Sequence, residues 1–432
     1  MGYNETSLNS HWPLKKLNQI GEFKRGKSKH RPRNDSKLFL NGKIPLIQTG
    51  DIKAANLYIE KATEFYNEVG LKQSKLWDED TLCITIAANI AETAILKKKM
   101  CFPDSVVGFI PFKKETTSVF MHYLFAFIRQ RIQNSVQGSI QDNINIDYLE
   151  KLQLRIPEFP TQQKIVSVLS ALDDKIELNN KINVELESMT KTLYDYWFVQ
   201  FDFPDANGKP YKSSGGKMVW DEALKREIPM GWEVCCLSDI ANITMGQSPP
   251  GESYNEDGSG CVFYQGSTDF GNRYPTIRKF TTSPSRFATQ GDILLSVRAP
   301  VGTMNVAKED CCIGRGLAAL NSKDNCMSYL YEVMIDLKQI FDRRNVNGTT
   351  FGSITKDDLF SLKVVRPSSK ILEKYNTITK PCFEKQNKMG EENQELTQLR
   401  DWLLPMLMNG QVTVGETEEK MGMVAEGSMK YK

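Results

Sequence analysis

Between Thr161 and Phe203 the chain has no Gly and no Pro, and its apolar residues return every three or four positions. Ile165, Leu169, Leu172 and Ile176 open the run, and Leu186, Leu193 and Trp197 continue it. Asn179 and Asn183 sit at the same phase in the middle. This spacing predicts one long helix with a narrow apolar seam, the pattern of a coiled coil. At about 1.5 Å per residue it would span roughly 60 Å. Such a helix alone leaves its seam in water, so it needs a partner. The plainer alternative is a long surface helix of one globular domain.

On either side the pattern changes. Residues 1–157 carry short apolar runs (Ile44 to Gln48, Thr81 to Ala87, Val106 to Phe112) broken by turn residues, which predicts strands. Phe120, Leu124, Phe127 and Ile128 share a face of a predicted helix from Val119 to Gln133. After the long helix, Phe203 to Gly216 reads FPDANGKPYKSSGG, rich in turn formers, as an exposed linker would be. A second mixed region and a second helical region follow.

This order suggests duplication. Trp12, Leu17, Ile20, Gly26 and Ser28 recur 220 positions later as Trp232, Leu237, Ile240, Gly246 and Ser248. Gly138, Asp147, Leu149, Leu152 and Pro157 recur 210 positions later as Gly348, Asp357, Leu359, Leu362 and Pro367. The second shift also carries Leu186, Met189 and Leu193 onto Leu396, Leu399 and Leu403. The second helix would complete the seam through those three leucines. Pro381 removes a backbone donor and Gly390 weakens a helix by about 1 kcal/mol, so its predicted core is Glu391 to Leu404. The expected fold is α+β with an internal tandem repeat: a mixed domain at 1–157, a long helix at 158–203, a linker at 204–228, a second mixed domain at 229–367, a second long helix at 368–410 and a flexible tail at 411–432.

A chain of 432 residues suits two or three domains. Charged residues make up 25% and nearly cancel to +2, so any nucleic-acid contact must concentrate its positive charge locally. The nine cysteines include the adjacent pairs Cys235-Cys236 and Cys311-Cys312 and no CxxC, which suits reduced thiols in the cytoplasm. The opening MGYNETSLNSHW lacks a signal pattern, and no apolar run approaches the roughly 20 residues of a membrane span.

Catalytic and metal signatures are missing. Ser213 to Met218, SSGGKM, fails the phosphate-loop spacing. Pro249-Pro250 lacks the acidic or amide residue and the aromatic of an amino-methyltransferase. His11, His30 and His122 have no partner at zinc-ligand spacing. The expectation is no catalytic residue, no metal and no cofactor bound by this chain.

Three surfaces carry candidate chemistry. Lys24 to Arg33, KRGKSKHRPR, is a basic loop whose Lys24, Arg25, Lys27, Lys29, Arg31 and Arg33 suit phosphate contacts. Its counterpart, TMGQSPPGE, has no basic residue, so charge there must come from Arg273, Arg278, Lys279, Arg286 or Arg298. The second surface is a polar loop ahead of each long helix: Asn134, Gln137 and Ser139 in the first half, and Arg343, Arg344, Asn345, Asn347, Thr349 and Thr350 in the second. The third is a strand end with Gln48 and Thr49, matched by Gln265 and Ser267. Asn and Gln bond adenine, Arg bonds guanine, and Ser or Thr bonds either. Each is also open to a bland reading, respectively as a solvated loop, a helix-to-strand turn or a strand cap.

The chain resembles the specificity (S) subunit of a type I restriction–modification system over nearly its whole length. Pro160-Thr161-Gln162-Gln163-Lys164-Ile165 with Leu169, Leu172-Asp173 and Leu186 resembles the family's first central helix. Trp197-Phe198-Val199, Phe201-Asp202-Phe203-Pro204, Gly208 to Lys212 and Ser214 to Lys217 resemble the junction after it. Ile228-Pro229-Met230-Gly231-Trp232 resembles the opening of the second recognition domain, and Arg400-Asp401 with Leu403-Leu404-Pro405, Leu407 and Gly410 the end of the second helix. The resemblance implies that each mixed domain reads one half of a split, asymmetric double-stranded DNA target. It implies that the helices pair antiparallel and dock two modification subunits, which hold S-adenosylmethionine and methylate adenine. Two restriction subunits using ATP and Mg would be optional partners. Half-sites on one face of B-DNA lie roughly 34 Å apart, which suits a rigid spacer. The competing reading is a coiled-coil scaffold whose mixed domains bind protein partners.

Overall fold

The computed structural model describes residues 11–87, 89–137, 144–346 and 353–415. They divide into two units, Met1–Ile176 with Leu396–Lys432, and Glu177–Glu395.

In the first unit a strand with both faces covered explains the continuous apolar run near Thr81. Leu82 and Ile84 pack with Phe120, Leu124 and Phe125 of helix Ser118–Gln137, while Cys83 between them joins Trp77, Met100 and Phe102. Successive side chains point to opposite faces, so one strand feeds two cores. Gly21–Arg25, Val106–Pro111, Leu82–Thr85 and Thr93–Leu96 pair antiparallel in that order, and Tyr58–Ile59 adds a parallel edge. In a second sheet Ile44–Leu46 pairs parallel with Met100–Cys101.

The second unit has the same sequence of pairings. Ala241–Met245, Leu317–Ser322, Ile293–Ser296 and Met304–Val306 form one antiparallel sheet. In the other, Cys261–Tyr264 pairs parallel with Cys311–Ile313. Ile293 and Leu295 face helix Met327–Val346 through Leu330 and Met334, while Leu294 faces Val262 and Tyr264.

The first long helix runs from Phe159 to Tyr194, with Pro160 in the first turn where its missing N–H costs nothing. It widens into a π turn at Asp195–Val199, closed by Gln200 N donating to Asp195 O at 2.8 Å. The second long helix is Ser369–Met408. It passes unbroken through both Pro381 and Gly390, so its regular part is not confined to the predicted core, Glu391 to Leu404. Proline costs a helix interior about 3 kcal/mol, and packing on both sides of it outweighs that. Tyr375 lies in the core of the second unit, and Thr379 Oγ1 and Ser328 Oγ share a buried hydrogen bond of 2.7 Å.

Within each unit the two helices contribute opposite ends. In the first unit Ile165 and Leu169 share a core with Leu407 and Met408. In the second, Asn179 meets Glu392 and Asn393, whereas Tyr375 OH donates to Thr190 O at 3.5 Å, so the contacting segments run antiparallel. Of the predicted seam, Ile165, Leu169, Ile176 and Asn179 are buried, and Leu172, Asn183, Leu186, Leu193, Leu396 and Leu403 are half-buried. Leu399 is a correction: it is 44% exposed and lies off the seam. Its repeat mate Met189 is 62% exposed, so that phase faces solvent on both helices.

The Phe203–Gly216 stretch is exposed through its middle yet firmly anchored. Phe203 stacks between Tyr211 and Trp232 at 4.7 Å each, and Asp202 accepts from Ser213 N and Oγ at 2.7 and 2.6 Å. No helix of the described residues is long and apolar enough to cross a membrane.

Candidate nucleic-acid interface

The second unit contains a cleft of about 510 Å³ whose walls come from five separate stretches of chain. Strand Cys261–Tyr264 delivers Gln265 to its rim, and a 3₁₀ turn places Ser267, Thr268 and Asp269. The chain after Ile293–Ser296 brings Arg298, and that after Cys311–Ile313 brings Arg315. Close approach here requires glycine: a Cβ on Gly316 would come 2.6 Å from Gln265 O, and one on Gly314 3.0 Å from Gln265 Cα.

Four cations, Arg278, Lys279, Arg298 and Arg315, face two acids, Glu256 and Asp269. Arg278 is already engaged. Its Nε donates to Asp269 Oδ1 at 2.6 Å and its Nη2 to Thr268 O at 2.9 Å. Gln265, Lys279, Arg298 and Arg315 are exposed, and their side chains have no hydrogen-bond or ion-pair partner among the described residues. The arrangement therefore presents two guanidinium forks, an amide and an ammonium to an incoming ligand. That is the donor set that reads guanine and adenine edges and holds phosphates.

Of the residues singled out in the sequence, Gln265, Ser267 and Arg298 do come together here, with Arg278 and Lys279 beside them. Arg273 does not: it is 8% exposed and packs on the helices. Arg315 was missed, although its Gly-Arg-Gly setting marks a cation held against a close backbone. Asn347, Thr349, Thr350 and Ser139 lie outside the described residues, as do the side chains of Gln137, Arg343, Arg344 and Asn345. Among the described residues, the backbone of Ser353 bridges that of Arg298 at the cleft.

The first unit spends its equivalent groups internally. Gly26 lies so close to Pro103 O that a Cβ would sit 2.1 Å away, which lays the basic loop on the turn at Asp104. Arg25 Nε donates to Asp104 O at 2.6 Å, Arg33 Nη2 to Asp104 Oδ1 at 2.5 Å, and Arg31 Nη1 to Ser28 O at 2.7 Å. Arg31 Nη2 also lies 3.5 Å from Asp104 Oδ2. Lys24 pairs with Glu22 at 2.7 Å. The ammonium groups of Lys27 and Lys29 have no such partner among the described residues. Gln48 precedes the short helix Thr49–Ala54, and its Nε2 donates to Glu64 Oε2 at 2.7 Å. Unlike Gln265, its amide is held. Asn134 is exposed on its helix and accepts from Gln130 Nε2 at 2.9 Å.

Polar contacts also mark the long helices. Asn179 is fully buried, and its Nδ2 donates to Glu392 Oε2 at 2.8 Å and Asn393 Oδ1 at 2.9 Å. Asn393 Nδ2 donates in turn to Asn180 Oδ1 at 2.9 Å. Leu178, Val184 and Met189 on the first helix, and Ile378 and Trp402 on the second, are more than half exposed. Among the described residues no group of three or more His, Cys, Asp or Glu is placed to hold a metal.

The two mixed units share one plan of strand pairings and each packs on segments of the long helices, and the second carries a cation- and amide-lined cleft. The model of the type I restriction modification DNA specificity domain matches residues 9–188 and again 229–397, more than half of the chain, and the chain belongs to that family of specificity subunits. It is 26% identical over 424 residues to the MjaIX type I restriction enzyme specificity subunit of Methanocaldococcus jannaschii, covering 94% of each chain. A proposed MjaX specificity subunit of the same organism is 33% identical over 300 residues, 67% of this chain and 65% of that one. In the solved structures, the S subunit of a type I restriction-modification system from M. genitalium shares the fold, with TM-score 0.55 and 18% identity over 94% of this chain and 98% of that one. Specificity subunits are non-catalytic, and the catalysis of these systems belongs to partner subunits.

Proposed function

We propose that each mixed domain reads one half of a split, asymmetric double-stranded DNA target. The two long helices form an antiparallel coiled-coil spacer, the product with the domains of a tandem duplication, and set the distance between the half-sites. They dock two modification subunits, which bring S-adenosylmethionine and methylate adenine. Where the system restricts as well, two restriction subunits join with ATP and Mg. The assembly works in the cytoplasm.

The observation that carries this reading is the cleft of the second unit, where Gln265, Arg298 and Arg315 stand exposed with unengaged side chains. In the first unit Lys27 and Lys29 supply phosphate contacts. The exposed apolar residues on both long helices, Val184, Met189 and Trp402 among them, support docking of protein subunits there.

Exchanging residues 229–367 for the corresponding domain of another family member tests the proposal. Mapping methylated adenines in cells carrying the hybrid and its modification subunit should show one half of the motif changed and the other kept. Change in both halves would overturn the division of labour.

A further inference from the structure

The segment from Ser267 to Lys279 has two faces of work. Its ends, Ser267 to Asp269 and Arg278 with Lys279, line the cleft. Its middle is fastened to the long helices. Arg273 Nε donates to Asn387 Oδ1 at 2.7 Å, and the guanidinium lies over the rings of Phe383 and Tyr331 at 4.7 and 5.7 Å. Arg273 Nη1 lies 3.9 Å from Glu187 Oε1 on the first long helix. Tyr274 OH donates to Asn387 O at 3.0 Å, and Gln394 Nε2 donates to Pro275 O at 3.4 Å.

Shape reinforces these bonds. A Cβ on Gly390 would come 2.7 Å from the Tyr274 ring, so the ring occupies the space that glycine leaves on the helix. Asn387, Gly390 and Gln394 follow one another at three- and four-residue spacing and share a helix face. Behind the segment, Asn305 brackets Gly271 by donating to its carbonyl and accepting from its N–H, both at 3.0 Å, and Val306 N donates to Arg273 O at 2.8 Å. A buried guanidinium with Nη2 unpartnered is an expensive way to gain stability. It is an effective way to fix one geometry.

We propose that Arg273 and Tyr274 are positioning residues that clamp the recognition cleft to the helix pair and thereby set the number of base pairs between the two half-sites. The inference rests on the function proposed above. One added base pair moves a half-site by about 3.4 Å and turns it by roughly 35°. A cleft hung on a loose loop would follow that change, whereas a clamped cleft rejects it.

The test uses the full chain assembled with its modification subunits, with methylated adenines mapped on a library of targets whose spacers differ by one base pair. The variants are Gly390→Ala, which displaces the Tyr274 ring, and Asn387→Ala with Tyr274→Phe, which remove single bonds and leave the core packing intact. Thermal melting establishes which are folded. The expected result is unchanged half-site sequences with methylation of the wrong-length spacers raised roughly tenfold or more relative to the correct one. Folded variants that keep wild-type spacer selectivity overturn the clamp alone. A wild-type complex that methylates no split motif overturns the underlying reading and the clamp with it.

Discussion

Arg400 Nη1 donates to Asp173 Oδ1 at 2.7 Å, and Tyr123 OH donates to the other oxygen of the same carboxylate at 2.6 Å. Asp173 thereby ties the second long helix and the helix of the first mixed domain to the first long helix. Asp173→Ala leaves Arg400 with the exposed Asp401 as its remaining counter-charge and strands the buried Tyr123 hydroxyl, and should cost about 1–3 kcal/mol. Tyr123→Phe removes one hydrogen bond and should cost about 1 kcal/mol. Denaturant midpoints of the purified chain would check both.

Arg298 and Lys279 share the cleft but should fail differently. Arg298→Ala should weaken binding by about 1–3 kcal/mol and relax the choice of base at one position. Lys279→Ala should weaken all sequences alike and lower the slope of log affinity against log salt by about 1. Titrations of the assembled complex against single-base variants at several salt concentrations separate the two.

Glu332 and His122 should contribute opposite pH dependences to the two units. Burial pushes the Glu332 carboxyl up to about 7 from its ordinary 4.5, although it accepts from Thr190 Oγ1 at 3.1 Å. The folded form then keeps a proton that the unfolded chain has lost, so stability of the second unit falls as pH rises from about 4.5 through about 7. Burial holds His122, which lies 3.1 Å from Thr93 Oγ1, down at about 4 instead of 6.5. There the unfolded chain takes the proton first, and the first unit loses stability as pH falls from about 6.5 towards 4. Hydrogen exchange resolved by unit should show opposing slopes in the shared window. Glu332→Gln should flatten the second unit's slope and stabilise that unit near pH 8 by up to about 3 kcal/mol.

Leu399 and Ile176 test where the seam runs. Ile176 is buried, and Ile176→Ala should cost about 2–5 kcal/mol. Leu399→Ala should stay within about 0.5 kcal/mol for folding, because that side chain stands in solvent. Thermal melts of the two variants side by side give the answer.

The first long helix is legible in the sequence because nothing interrupts its spacing from Thr161 onward. The second is legible in its extent, 368–410, but its continuity is not. Local propensity reads Pro381 as a stop, and only the tertiary packing of Tyr375 and Thr379 overrides it. Half of the cleft is legible for a similar reason. Gln265 and Ser267 are neighbours with an evident chemistry, whereas Lys279, Arg298 and Arg315 meet only because separate segments converge on the cleft. Gln48 and Gln265 look alike as text, and what separates them is Glu64, a residue sixteen positions away that takes the first amide and has no counterpart at the second.

The core of the first unit holds Leu407 and Met408 together with Ile165 and Leu169, while the second unit ends at Glu395. During synthesis the later unit is thus complete before the earlier one. The first mixed domain leaves the ribosome with an apolar gap that its own residues cannot fill, and it must wait for more than two hundred further residues to close it. Release of an unfinished chain would leave that gap open and its apolar lining exposed to water.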